Sequence, residues 1–178
     1  MLLKALALAG LACAQAPSPT TTGGGAIPTL IDGWYFVRAV AEPNYHSYLQ
    51  SKPTAAPGAD AYLDGPLAAG FYNIIDDQLV YHSEGGADLY LHVEQPEDLT
   101  QRKLRVWFEE EPNTWGAFTF QGDTVTWSVA EIQRPNTAAW LVCEEQQLFI
   151  NTGAYGYETP AGCADQTIHS YGGSTPDV

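Results

Sequence analysis

An all-β fold is predicted, and three features of the sequence predict it. From Trp34 onward apolar residues recur with a period of two, the spacing of a half-buried strand rather than of a helix. The 178 residues include 17 Gly and 12 Pro, and only 16% are charged, a composition of many turns and few long surface helices. The third feature is a motif, apolar-x-apolar, four residues, apolar-x-apolar, beginning at Tyr72, Phe118 and Leu141. Each copy reads as a hairpin.

Trp34–Val40 is the first expected strand. Short helical material is expected at Pro66–Ala69. The first hairpin runs through Tyr72, Ile74, Leu79 and Tyr81, turning at Asp76-Asp77. Asp88–Val93 and Lys103–Phe108 form a further pair across the polar loop Glu94–Arg102, with a second helical turn at Asp98–Gln101. Phe118, Phe120, Val125 and Trp127 turn at Gly122-Asp123. Leu141, Cys143, Leu148 and Ile150 turn at Glu144-Glu145, and Gln166–His169 is the last strand. About ten short strands with regular turns describe a single compact antiparallel β-barrel or β-trefoil-like domain. The motifs start 46 and 23 residues apart, a loose hint of three-fold repetition, and a β-sandwich is the alternative. Trp34, Trp107, Trp127 and Trp140 fall in alternating patterns and are expected in the core.

The N-terminus reads as an address. Lys4 precedes the apolar run Ala5–Ala12, and Ala12-Cys13-Ala14 fits small-x-small cleavage. The expectation is a signal peptide at 1–14, with a cut after Ala16 as the alternative. The apolar run is far short of the ~20 residues that span a bilayer. A lipid-bearing Cys13 is a rival, but Gly10-Leu11-Ala12 fits that box badly. Residues 15–29 form a flexible Pro/Thr/Gly linker, 30–173 the all-β domain, and 174–178 a C-terminal tail.

Composition also excludes partners. Lys+Arg total 7 against 21 Asp+Glu, for a net charge of −14. Nucleic acid and anionic membrane both need a basic surface and are not expected as partners. Hydrophobic residues at 45% rule out wholesale disorder.

Export leaves Cys143 and Cys163, which are expected to pair, closing a loop of 20 residues. A tight turn at Ser83–Gly86 places His82 opposite Ala87 and His92 opposite Asp77, on opposite faces, so the two cannot share a metal. His46 and His169 stand alone. No metal or other cofactor is expected. Adjacent carboxylates at Asp76-Asp77, Glu109-Glu110-Glu111 and Glu144-Glu145 read as solvated turn charges, because neighbours on a strand face opposite ways. There is no Gly-x-Ser-x-Gly elbow and no glycine-rich phosphate loop. No catalytic residue is assigned. The remaining resource is aromatic: Trp115, Tyr155 and Tyr157 lie in Gly/Pro/Asn-rich loops, where exposed rings can stack on a sugar or fill a partner's pocket.

Several blocks carry a resemblance: Trp34–Val40, GFYNIIDDQLVYH at Gly70–His82, GDTVTWSV at Gly122–Val129, AAWLVCEEQQLFINTG at Ala138–Gly153 and PAGCADQTIHSYGG at Pro160–Gly173. Together they resemble small secreted fungal proteins of the PhiA-like group, cell-wall proteins of which some are labelled IgE-binding or allergen-like. The resemblance implies an extracellular, wall-associated, non-enzymatic β-protein. The expected partner is cell-wall polysaccharide or an extracellular protein, with the oligomeric state open. The alternatives are a secreted effector or elicitor that binds a host partner, and an enzyme acting on polysaccharide.

Overall fold

The computed structural model describes residues 26–177. The expected signal peptide, the linker up to residue 25 and the last residue of the tail lie outside the described residues.

The first seven strands are β1 (Phe36–Ala39), β2 (Tyr48–Lys52), β3 (Asp60–Asp64), β4 (Phe71–Ile75), β5 (Gln78–His82), β6 (Leu89–Val93) and β7 (Lys103–Glu109). They continue as β8 (Ala117–Gln121), β9 (Thr124–Ser128), β10 (Trp140–Val142), β11 (Leu148–Asn151), β12 (Ala164–Gln166) and β13 (Ile168–Tyr171). All thirteen join one antiparallel sheet. Strands β1, β2, β3, β7, β6, β5 and β4 pair in that order, and a bridge between Tyr35 and Tyr72 returns β4 to the start of β1. One bridge closes the ring, so the barrel is nearly closed. Two extensions leave it. From β1 run β13, β9 and β8, and from β7 run β11, β10 and β12. The three hairpins thus occupy unlike places, one in the ring and one in each extension.

On β7 the alternation is clean, with Leu104, Val106 and Phe108 buried and Lys103, Arg105, Trp107 and Glu109 turned away from the core. Its first half pairs β11 and its second half pairs β3, which makes β7 a three-way junction. The β4–β5 turn has positive φ at both Asp76 (50°) and Asp77 (62°), the type I′ pattern that matches strand twist. Inside the barrel Trp127 and Trp140 are fully buried. Trp140 Nε1–H donates to Val125 O at 3.2 Å. The tail docks on the barrel: Leu30 N–H donates to Ser174 O (2.8 Å), and Asp177 N–H donates to the Tyr48 hydroxyl (2.8 Å).

Several expectations need correction. The sequence reading omitted β2 and β3, and the expected Gln166–His169 strand is split between β12 and β13. Asp98–Gln101 is a turn held by the Asp98 carboxylate on Thr100 N–H (2.8 Å), not a helix. Trp34 and Trp107 are half-buried rather than core. Register corrects the histidines. Tyr81 faces Leu89 and Val80 faces Tyr90, so His82 lies opposite Asp88, and this one-residue shift puts His82 and His92 on the same face. They remain four rungs apart, about 13 Å at strand rise.

Candidate functional site

The candidate site is the loop between the cysteines. Leu141 faces Asp165 and Val142 faces Ala164 across β10 and β12, so the next rung sets Cys143 against Cys163. They are bonded, across a separation of 20 residues. The bridge welds the two ends of the loop where the sheet has already aligned them.

A cation holds the middle of the loop. Arg102, just before β7, donates from Nη2 to Ala154 O (2.9 Å) and to Tyr157 O (2.6 Å). The loop returns the contact through Thr152, whose N–H donates to Arg102 O (3.1 Å) and whose hydroxyl donates to Gln101 O (2.6 Å). A Cβ at Gly153 would fall on Arg102 Nη1, so the glycine leaves room for the guanidinium. At the base, the Asp165 carboxylate accepts from Asn151 Nδ2 at 2.6 Å and from the Thr159 hydroxyl.

Beneath the loop, Arg134 donates to four carbonyls: Asn151 O (2.9 Å), Thr137 O (2.9 Å), Trp127 O (2.5 Å) and Ala139 O. Burial lowers its pKa to about 10. Its charge is dispersed into main-chain dipoles rather than paired with a carboxylate. Arg102 and Arg134 therefore leave the loop little freedom.

From this support Tyr155 and Tyr157 project, 42% and 64% exposed. The Tyr155 hydroxyl reaches Asp165 O at 3.4 Å, and the Tyr157 main chain is held by Arg102 while its ring stays free. Glu144, Glu145 and Glu158 are exposed nearby, so the rim is acidic. Two shallow pockets flank the disulfide, of about 190 Å3 beside Lys103 and Phe149 and about 270 Å3 beside Asn44 and Gln146.

Trp115, expected as an exposed partner of these tyrosines, is only 8% exposed. Its ring packs on Trp127 with centroids 5.2 Å apart, and Asn113 Nδ2 donates to its carbonyl at 2.8 Å. It belongs to the core. The binding set reduces to Tyr155 and Tyr157.

Each histidine is engaged separately. His82 Nδ1 lies 2.8 Å from Asp88, His169 3.2 Å from Asp123, His46 3.6 Å from Asp177, and His92 Nε2 2.7 Å from Glu111 O. Among the described residues no three His, Cys, Asp or Glu side chains gather as a metal set.

The sequence reading missed Arg102, Arg134, Asn151 and Asp165. No local motif marks them. Arg102 meets its acceptors 52 and 55 positions away, and only the fold brings them together.

A family model described as a domain of unknown function (DUF7907) matches residues 32–169. No curated protein and no solved structure matches the chain.

Proposed function

The chain belongs to the DUF7907 family, and we propose that it is a secreted, cell-wall-associated protein that binds a surface rather than catalysing a reaction. The observation that carries this reading is the loop, closed by Cys143–Cys163, clamped by Arg102, and presenting Tyr155 and Tyr157 to solvent. A loop that has already lost its freedom loses little more on binding. Tyrosine supplies a large rigid contact with a polar tip at low rotamer cost. The excess of acidic residues disfavours a polyanionic partner. Export rests on the Met1–Ala14 pattern, and wall association on the resemblance to the PhiA-like group.

The test is retention of the purified protein on washed wall glucan, chitin and mannan, compared with Tyr155→Ala plus Tyr157→Ala. Retention of the wild type that the folded double variant loses supports the reading. Equal retention removes the loop from the site. If nothing is retained and the protein collects in culture filtrate, the effector reading replaces it. Released reducing sugar makes it an enzyme.

A further inference from the structure

The outer wall of the barrel carries a second surface. At the three-way junction β3 turns Tyr62 outward, β7 turns Trp107, and β11 turns Phe149, all partly exposed. Trp107 faces Asp60 and Arg105 faces Phe149, so Tyr62 and Phe149 are both diagonal neighbours of Trp107, about 7–8 Å away. Outward sheet positions are normally polar, and three rings side by side there are unusual.

Charge distinguishes the patch further. Among the described residues the exposed basic side chains are Lys52, Lys103 and Arg105, and all three lie here. Lys52 Nζ sits 4.9 Å from the Tyr62 ring centroid, Lys103 Nζ 4.7 Å from that of Phe149, and the Arg105 guanidinium 4.9 Å from that of Trp107. Asp64 lies 2.5 Å from Lys52, Asp60 2.6 Å from Arg105, and the Glu94 carboxylate accepts the Arg105 N–H at 2.9 Å. Glu109 adds a fourth carboxylate, accepting from Trp107 Nε1–H at 2.9 Å, so three cations stand against four carboxylates. On a chain of net charge −14 this wall is close to neutral.

We propose that this wall binds a neutral polysaccharide lying across β3, β7 and β11. The rings offer apolar faces to the C–H faces of sugars. The ion pairs offer both charge-assisted donors and charge-assisted acceptors to hydroxyl groups. A polyanion finds Lys52 and Arg105 already paired and meets repulsion from the rest of the surface. Cations resting on the rings restrict them before a ligand arrives, which lowers the ordering cost of binding. At one end the pocket of about 190 Å3 between Phe149, Lys103 and the disulfide is smaller than the ~300 Å3 at which drug-sized ligands are enclosed, a recess on the scale of one sugar ring. The proposal takes from the surface-binding reading only the kind of partner, and a loop that binds nothing leaves it standing.

The test is titration of the full chain with soluble β-1,3-glucan, chitohexaose and mannan, read by tryptophan fluorescence and acrylamide quenching at 50 mM and 500 mM NaCl. The loop between the cysteines holds no tryptophan, so the signal separates wall from loop. At least one polymer should shift emission saturably, with affinity changing less than twofold between the two salts. Trp107→Ala and Tyr62→Ala should each weaken retention on that polymer at least tenfold, while Trp34→Phe keeps both the fluorescence response and the retention. Tyr62→Ala also covers the case in which Trp107→Ala fails to fold. The proposal is overturned if no neutral polymer shifts emission, if folded Trp107→Ala and Tyr62→Ala bind as the wild type does, or if polygalacturonate binds instead and is released by salt. Loss of binding in the loop variant alone overturns the wall and leaves the loop reading intact.

Discussion

Replacing Arg102 with Ala should release the disulfide-closed loop while leaving the barrel folded. The side chain contributes two hydrogen bonds from a charged donor, to Ala154 O and Tyr157 O. Such bonds are worth about 1.5–3 kcal/mol each when buried. Arg102 is half-buried, its bond to Tyr157 O is exposed, and the Thr152 and Asp165 contacts survive its removal, so each bond falls below that range to about 1 kcal/mol and the pair is worth about 2 kcal/mol. That is about a 30-fold rise in the loop's opening constant. Hydrogen exchange read by mass spectrometry should show peptides over 152–162 exchanging about 30-fold faster. Peptides over β7 should keep their protection, and the thermal midpoint should fall by no more than about 4–8 °C. Gly153→Ala should produce the same loosening, because its Cβ displaces Nη1 of Arg102. In the Arg102→Ala background the same substitution meets no guanidinium, so the two effects should not add. Unchanged loop exchange in Arg102→Ala, or strict additivity of the pair, would refute the clamp.

Cys163→Ser should cost roughly 2–4 kcal/mol in chemical denaturation. The native protein should yield no alkylatable thiol at Cys143 or Cys163 until it is reduced. Arg134→Met should cost about 3–5 kcal/mol, since it strands buried carbonyls, although Thr137 O and Ala139 O keep their donors from Trp127 N–H and Asn151 N–H. Arg134→Lys should recover only part of that, because an ammonium lacks the planar fork. Asp177 is subject to burial, which alone raises its pKa, but bonds from Arg38 and Tyr48 outweigh that and hold it below the usual carboxylate value. Its stabilisation is therefore complete above the unfolded carboxylate pKa of about 4 and lost as pH falls through the lower folded value. Asp177→Asn should flatten the acid limb of a stability-against-pH curve. Burial first, then the bond to Asp177, pushes the Tyr48 hydroxyl up to about 12. The stability it carries is present below the unfolded value of about 10 and is lost as pH rises from there toward the folded one. Tyr48→Phe should remove that alkaline loss.

The three hairpins were legible because each repeats the apolar-x-apolar spacing on both sides of a turn sequence that accepts the required backbone, even though burial runs through three successive residues in β5, β9 and β10. Asp76-Asp77 takes two positive φ values, and Gly122 takes φ 67°. Strand β2 was not legible. Its sequence YLQSK is buried at four successive positions, so both faces are covered and the period vanishes. The polar Gln50 and Ser51 are tolerated there because Gln50 Nε2 donates to Gly65 O (2.6 Å) and Ser51 Oγ accepts from Ala55 N–H (2.8 Å). Trp107 shows a different failure. Its parity opposes Leu104, Val106 and Phe108 and already placed it outward, but its aromatic identity suggested the core. Trp115 failed the other way. It lies in a Pro-Asn-Thr-Trp-Gly loop, yet Gly116 at φ +80° brings the main chain so close to Trp127 that a Cβ there would sit 2.5 Å from Nε1, and the loop folds inward.

The candidate surfaces were harder to read because they depend on where a few cations go. A chain with 21 acidic residues needs no lysine or arginine for solubility, so the position of each basic residue carries information that composition lacks. Arg38 lies over the Tyr171 ring at 3.9 Å and meets Asp177, fastening the tail. Arg102 and Arg134 fasten the loop from its side and from below. Lys52, Lys103 and Arg105 gather on one wall, each against a ring. Nothing in their sequence spacing announces this, because Lys52 reaches that wall through β2 and β3, whereas Lys103 and Arg105 stand on β7. The grouping is a property of strand order. A basic residue placed at random on the barrel would have reduced the net charge equally well, but it would not have offset the carboxylates on a face that turns three aromatic rings outward.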